Sequence, residues 1–307
     1  MPSELNRSAY TKRALGIRRQ PAGLAASALA SIMWGFGGIF AVLAFAQGLV
    51  LTFYRLWIAA FILTAIVYAT GRRLTWTNVR ASWLGGIFLA GNMAMFFSAV
   101  KGTSIVNVTV IGAFQPALVL IAARHLFGER MGRWDVLWIM LAISGVSVAV
   151  VGQGSSGPHD LGGDLLAVGA LLCWSAYWLV SKHARVSQNA MEYTAGVTIM
   201  ASIVMTPIVL LSGQSLTQVR AGDWIWISLM AIVPGGAHLV MNWAHRYVDA
   251  SVSSAIGCLN PLVAAVAAFL ILNQPLDAVQ MLGLLLAIAA IAVVAARHHE
   301  PHEVVAP

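Results

Sequence analysis

Trp174, Tyr177, Trp178 and Ser181 recur at i, i+3, i+4 and i+7, the spacing of one helix face. Such a face offers ring surface for stacking beside polar atoms for hydrogen bonding. Similar mixed faces stand elsewhere. Phe88, Asn92, Met95 and Phe96 form one, and His238 and Asn242 lie one turn apart. Asn107 with Gln115, and Ser253, Ser254 and Asn260, add amides and hydroxyls. These groups suit the ammonium and carboxylate of an amino acid, because they satisfy both without burying a fixed charge. They serve equally well as cement between helices. Both readings stay open for the aromatic faces and for the polar ones. His238 is a proton-relay candidate or a hydrogen-bonded packing residue. Arg55 either snorkels outward, pairs with a backbone carbonyl or attracts a substrate carboxylate. The carboxylates Glu129, Asp135, Asp160, Asp164, Glu192, Asp223, Asp249 and Asp277 all fall near the ends of apolar runs or between them. That placement favours a facilitator or weakly coupled carrier over a proton antiporter with an intramembrane acid.

The elements holding these residues are membrane helices. The chain has 307 residues, of which 59% are hydrophobic and 9% charged, with mean hydropathy +0.81. A soluble domain carries about 25% charged residues. Ten runs are long enough to span a bilayer, near 22–42, 49–70, 81–100, 103–126, 134–152, 162–182, 191–211, 223–244, 249–272 and 277–297. Their residues do not alternate in polarity, which excludes a membrane β-barrel. With the N-terminus inside, fifteen basic residues face the cytoplasm: Arg7, Lys12, Arg13, Arg18, Arg19, Arg72, Arg73, Arg80, Arg124, Arg130, Arg133, Lys182, Arg185, Arg246 and Arg297. Only Lys101 and Arg220 face outward. The bias places both termini in the cytoplasm of a multi-pass cell-membrane protein. It also explains the net charge of +7 without a nucleic-acid partner.

The segment from Ser104 to Val150 returns, without gaps, as Asp249 to Ala295. A shift of 145 pairs Ile111 with Ile256, Gly112 with Gly257 and Pro116 with Pro261, so that Gln115-Pro116 matches Asn260-Pro261. A shift of 140 pairs Trp34 with Trp174. The expected architecture is an all-α membrane protein of ten transmembrane helices in two inverted five-helix repeats, since an odd number of crossings turns the second half over. The expected divisions are a mobile cytoplasmic tail over 1–20, a first repeat over 21–152, an external linker over 153–161, a second repeat over 162–297 and a cytoplasmic tail over 298–307. Pro116 and Pro261 each remove a backbone hydrogen bond mid-segment and are expected to serve conformational change.

Several other chemistries are disfavoured. Cys173 and Cys258 lie within apolar runs, so neither a disulfide framework nor a metal cluster is expected. Ala28-Leu29-Ala30 resembles a signal-peptidase site, but the apolar run continues past it, so an uncleaved first helix is expected. Gly152, Gly154 and Gly157 match a dinucleotide fingerprint in spacing alone, because Pro158 follows and no helix opens there. No His-Glu-x-x-His, Gly-x-Ser-x-Gly or paired intramembrane aspartates mark an enzyme.

Ten helices in two repeats, Trp34-Gly35 in the first, Arg55 early in the second and a proline-bearing fourth ending in Gly128-Glu129-Arg130 resemble the drug/metabolite transporter superfamily. Within it the chain resembles EamA-type exporters over about 20–297, and Gly145 and Gly283 match glycines of the fifth and tenth helices. The second copy departs from the pattern, with Asn273-Gln274-Pro275 in place of Gly-Glu-Arg. The Trp-, Phe- and Met-rich helices look most like YddG-type exporters of aromatic and other amino acids. The resemblance implies export of amino acids, aromatic and other neutral ones, or of similar small metabolites, by alternating access, with no cofactor, no metal and no enzymatic activity, by a monomer in the lipid bilayer. Multidrug or other metabolite transport is the second carrier reading, and an intramembrane enzyme is the alternative class. The expected substrate site is Trp34, Asn92, Met95, Phe96, Gln115, Trp174, Tyr177, Trp178, His238, Asn242 and Asn260.

Overall fold

A computed structural model describes residues 4–102, 108, 111–129, 132–151, 161–272 and 277–297. Residues 153–160 of the expected external linker, Asn107, Arg130, Asn273-Gln274-Pro275 and the C-terminal tail lie outside these residues, while Leu161 already belongs to a helix. The described chain is helical: α1 (Glu4–Leu43), α2 (Gly48–Ala69), α3 (Trp76–Ala81), α4 (Trp83–Gly102), α5 (Gln115–Phe127), α6 (Arg133–Val151), α7 (Leu161–Ala184), α8 (Ala190–Leu211), α9 (Asp223–Ala244), α10 (Ala250–Gly257), α11 (Leu259–Leu272) and α12 (Ala278–Arg297). Seven stretches are long and apolar enough to cross a membrane: Arg19–Leu43, Gly48–Ala69, Leu161–Ala184, Ala190–Leu211, Asp223–Ala244, Ala250–Ile271 and Ala278–Arg297. The shorter apolar helices Trp83–Ala99 and Ile111–Phe127, together with α6, occupy the other three expected positions. Large apolar side chains such as Phe61, Leu165, Leu210 and Leu282 project outward, as a lipid-facing surface requires. Residues 4–20, read from the sequence as a mobile tail, continue α1 as helix. Their mix of Leu, Ala, Lys and Arg has high helix propensity.

The packing repeats itself under exchange of the halves. Helix α1 packs on α9, and its counterpart α7 packs on α4, the counterpart of α9. Helix α2 packs on its own counterpart α8, and α6 on α12. Close approach depends on small residues. A Cβ at Gly145 would come within 2.6 Å of the Ala287 backbone nitrogen, and one at Gly35 within 2.6 Å of Val263. The α6–α12 and α1–α11 contacts are therefore set by glycine.

Both proline segments are broken. Residues 111–113 are helical, Phe114 forms a turn, and Pro116 sits in the first turn of α5. In the second half α10 ends at Gly257, Cys258 turns, and α11 carries Pro261. Proline cannot donate to the carbonyl four residues earlier and its ring crowds it. In both copies that earlier residue is glycine, Gly112 and Gly257.

Polar contacts gather the junctions at two ends. At one end Arg72 meets Glu192 at 3.4 Å, Arg297 meets Asp135 at 2.7 Å, and Arg19 donates to the Tyr247 hydroxyl. This is the basic end. At the opposite end the Phe45 N–H donates to Asp223, the Leu49 N–H to Gln214, and the Tyr54 hydroxyl to the Leu216 carbonyl.

Candidate functional site

The crossing of α1, α7 and α9 gathers rings that are far apart in sequence. Trp34 lies 5.2 Å from Trp174, 5.8 Å from Trp178 and 5.1 Å from His238 between ring centres. Trp174 stacks on Tyr177 at 5.3 Å and meets Trp178 edge-on at 5.6 Å. Helical spacing presents the three α7 rings on one face, and the pseudo-symmetry of the halves brings Trp34 against them. Each such pair contributes roughly 0.5–1.5 kcal/mol beyond burial.

A hydrogen-bond network ties the rings to polar groups. The Tyr177 hydroxyl lies 3.0 Å from His238 Nδ1 and accepts from Asn242 Nδ2 at 3.5 Å. Asn242 Nδ2 also donates to Thr194 at 2.9 Å, and Trp178 Nε1 donates to Ser253 at 3.2 Å. Trp34 Nε1 and Gln115 Nε2 are buried donors of this region with no partner among the described residues. Gln115 stands at the α5 break, and its Oε1 and the Trp178 ring both approach Gly257 at the α10 break.

Beside the network lies a small void of about 10 Å³, bounded by Arg55, His238, Thr198 and Met93 with Leu56, Ala59, Leu89, Met230 and Gly235. Such a space holds about one water. The Arg55 guanidinium donates to the thioether of Met93 at 3.1 Å, a weak acceptor. Neither ion pair found among the described residues, Arg72–Glu192 and Arg297–Asp135, includes it. Thr198 belongs to a hydroxyl stripe along α8. Thr194, Thr198, Ser202 and Thr206 each donate to the carbonyl four residues back, which leaves their oxygens free to accept.

The structure thus brings together Trp34, Trp174, Tyr177, Trp178, His238 and Asn242, with Gln115 at the edge. Of these only His238 lines the void. Asn92 donates to the Ala170 carbonyl at 3.0 Å and joins α4 to α7. Met95 packs at Gly169, and Phe96 is 37% exposed and meets Phe97 edge-on. Asn260 places its carbonyl against Gly35 of α1. The sequence reading gave Met93 and the α8 stripe no part in the site. The stripe's signal was available as Thr-x-x-x-Thr-x-x-x-Ser-x-x-x-Thr, a four-residue period on one face.

Polar clusters flank the basic end. Both oxygens of Glu129 accept from the first turn of α10: the Ala250 N–H at 2.8 Å, the Ser251 N–H at 3.1 Å and the Ser251 hydroxyl at 2.7 Å. A carboxylate there satisfies orphan donors and meets the positive end of the helix dipole. Arg185, just past α7, donates through Nε to the Asn242 carbonyl at 2.7 Å. Burial, then the neighbouring Arg246 charge, lowers the Arg185 pKa to about 10. His245, just past α9, meets the Trp178 ring at 5.0 Å. Burial, then the charges of Lys182 and Arg185, hold its imidazole well below the usual range. Among the described residues no three His, Cys, Asp or Glu side chains come together as a metal site.

Comparison with known proteins follows the same division into halves. The EamA-like transporter family matches residues 21–151 and 161–296. The "Uncharacterized transporter YyaM" of Bacillus subtilis (strain 168) is 27% identical over 68% of this chain and 70% of its own. The "Threonine/homoserine exporter RhtA" of Salmonella typhimurium (strain SL1344) is 28% identical over 67% of both. A solved structure described only as "Crystal structure of protein" superposes with a TM-score of 0.78 at 17% identity, over 91% of this chain and 99% of that one, and so shares the fold. With a two-repeat membrane fold and a family match in each repeat, the chain belongs to the EamA-like transporter family.

Proposed function

We propose that this protein exports small neutral amino acids from the cytoplasm by alternating access of its two repeats to a site at the α1–α7–α9 crossing. The carrying observation is Arg55, which faces a void inside the bundle with only a thioether as hydrogen-bond partner among the described residues. A fixed cation at that depth calls for an anion, and the substrate's carboxylate supplies one. Trp34 Nε1 and Gln115 Nε2 add unpartnered donors. The Thr198 hydroxyl and the Tyr177–His238 pair offer acceptors for the ammonium. The ring cluster then packs against the side chain. The relative named a threonine/homoserine exporter supports the amino-acid reading and a small polar substrate. The fifteen-to-two bias of basic residues puts the basic end in the cytoplasm. There the Glu129 cap holds the first turn of α10 against the end of the α5 segment, a contact that supports reading this conformation as closed on the loading side.

The test is uptake by proteoliposomes preloaded with threonine, alanine, phenylalanine or a cationic dye, with Arg55→Gln and Arg55→Lys beside the parent. The parent is expected to exchange threonine and alanine. A charge-assisted hydrogen bond contributes about 1.5–3 kcal/mol, so Arg55→Gln should weaken apparent affinity roughly ten- to hundred-fold. Arg55→Lys keeps the charge but loses the fork and should recover only part. Dye transport without amino-acid transport would establish the multidrug reading instead, and unchanged affinity in Arg55→Gln would remove the guanidinium from the site.

A further inference from the structure

His238, Asn242 and His245 lie at i, i+4 and i+7 on α9, one face running from the void to the basic end. The first two belong to the site already described. The third does not, and its surroundings are unusual. His245 is 1% exposed, yet among the described residues neither ring nitrogen has a hydrogen-bond partner. Arg185 is 3% exposed, and its NH1 has none. Gln188, in the same α7–α8 connection, buries an unpartnered Oε1, and Asn242 buries an unpartnered Oδ1. Orphaned buried polar atoms are rare, and several on adjoining turns at the α7–α8 connection and the end of α9 call for an occupant.

The inventory of these atoms is selective. Arg185 NH1 is a donor, and the neutral imidazole supplies one more N–H. Gln188 Oε1 and Asn242 Oδ1 are acceptors. The groups lacking partners therefore include both signs, matching the two ends of a zwitterion. Lys182 donates to the Val248 carbonyl, and Glu129 is held by α10. The link from Arg185 Nε to the Asn242 carbonyl joins the cluster to the site above it, and the Trp178 ring, which meets His245, also meets Trp34 and Trp174 of that site.

We propose that Arg185, His245 and Gln188 form a second, loading station for an α-amino acid at the basic end, the guanidinium and imidazole taking its carboxylate and the Gln188 oxygen its ammonium. The inference rests on the proposed amino-acid carrier. The substrate enters when the Glu129 contact opens, is held here, and passes along the α9 face to Arg55. Two stations of like chemistry let the carboxylate leave one cation for another without crossing an apolar gap.

The experiment is carbethoxylation of histidines in the full-length protein in proteoliposomes, mapped residue by residue by mass spectrometry. The protectants are threonine, propionate as carboxylate alone, and ethylamine as ammonium alone. Threonine is expected to slow modification of His245 several-fold, propionate less, and ethylamine little. Arg185→Gln should abolish protection at His245 while His238 remains protected. Arg55→Gln should do the reverse. Gln188→Leu, a milder change, should weaken protection by threonine and leave that by propionate unchanged. A His245 that never reacts is sealed packing, and this overturns the station. So does protection indifferent to both Arg185→Gln and Gln188→Leu, or protection at both histidines lost together in Arg55→Gln. Threonine protecting neither histidine while the parent still exchanges threonine also removes the station alone. A parent that exchanges no amino acid removes the carrier reading beneath it.

Discussion

Trp174 is the ring on which the others converge, touching Trp34, Tyr177, Trp178 and His238. Tyr177 and Trp178 are buried to 2% and 1%, whereas Trp174 is only partly buried. It is therefore the ring best placed to meet a substrate without collapse of the core on removal. Trp174→Ala should weaken phenylalanine transport several-fold and alanine transport less, because ring stacking contributes roughly 0.5–1.5 kcal/mol. Liposome uptake normalised to protein yield makes the comparison, and equal loss for both substrates would assign Trp174 to packing. The α7 face and the Trp34 match were legible in the sequence because helical period and repeat shift are properties of the chain alone. Arg55 was legible only as a choice among partners. Deciding among them needs the opposing helices, and Met93, Thr198 and His238 come from three of those. Arg185 counted in the sequence only among the fifteen topological cations and His245 was given no part, since a basic residue beside a helix end is ordinary until its buried surroundings are known.

At the level of elements, the proposed carrier requires points where one repeat moves against the other, and the two broken segments are the candidates. The α10 break faces the α5 break through Gln115 and Gly257, and Glu129 fastens the end of the α5 segment to the first turn of α10. Replacing the carboxylate by an amide removes the charge but keeps one acceptor, so Glu129→Gln should destabilise the closed basic end by about 1–3 kcal/mol. The expected readout is faster maleimide labelling of Ser253→Cys from the basic side. Unchanged labelling would make the cap a fixed feature of the fold. The prolines act on the same motion. Pro116→Ala and Pro261→Ala each allow a hydrogen bond to Gly112 or Gly257 and stiffen the segment. Transport should slow more than binding weakens, and parental rates in both variants would show the breaks to be static. Proline placed both interruptions in the sequence. The turns themselves fall earlier, at Phe114 and Cys258, because the ring disturbs the residues before it.

For the whole molecule, exchange of the halves maps the α1–α9 contact onto α7–α4 and leaves α2–α8 and α6–α12 in place. In the proposed mechanism a bundle so built has two related ways to pack, one open at each end, as alternating access requires. The ends are chemically unequal. Glu129 guards the basic end, while the equivalent position in the second repeat is Gln274, so the two closures differ by a charge-assisted cap. That inequality makes orientation matter, and orientation is testable directly. Thr75 caps α3 at the basic end, next to the Arg72–Glu192 pair, and Thr217 is exposed at the opposite end beside Arg220. In sealed right-side-out membrane vesicles an impermeant maleimide should label Thr217→Cys at once and Thr75→Cys only after permeabilisation. The fifteen-to-two distribution of basic residues sets this expectation. The reversed pattern would turn the bundle over, place the Glu129 cap on the outer face and convert the loading station into an exit. Equal labelling of both sites in sealed vesicles would mean mixed insertion, and the asymmetry of Glu129 and Gln274 would then carry no direction.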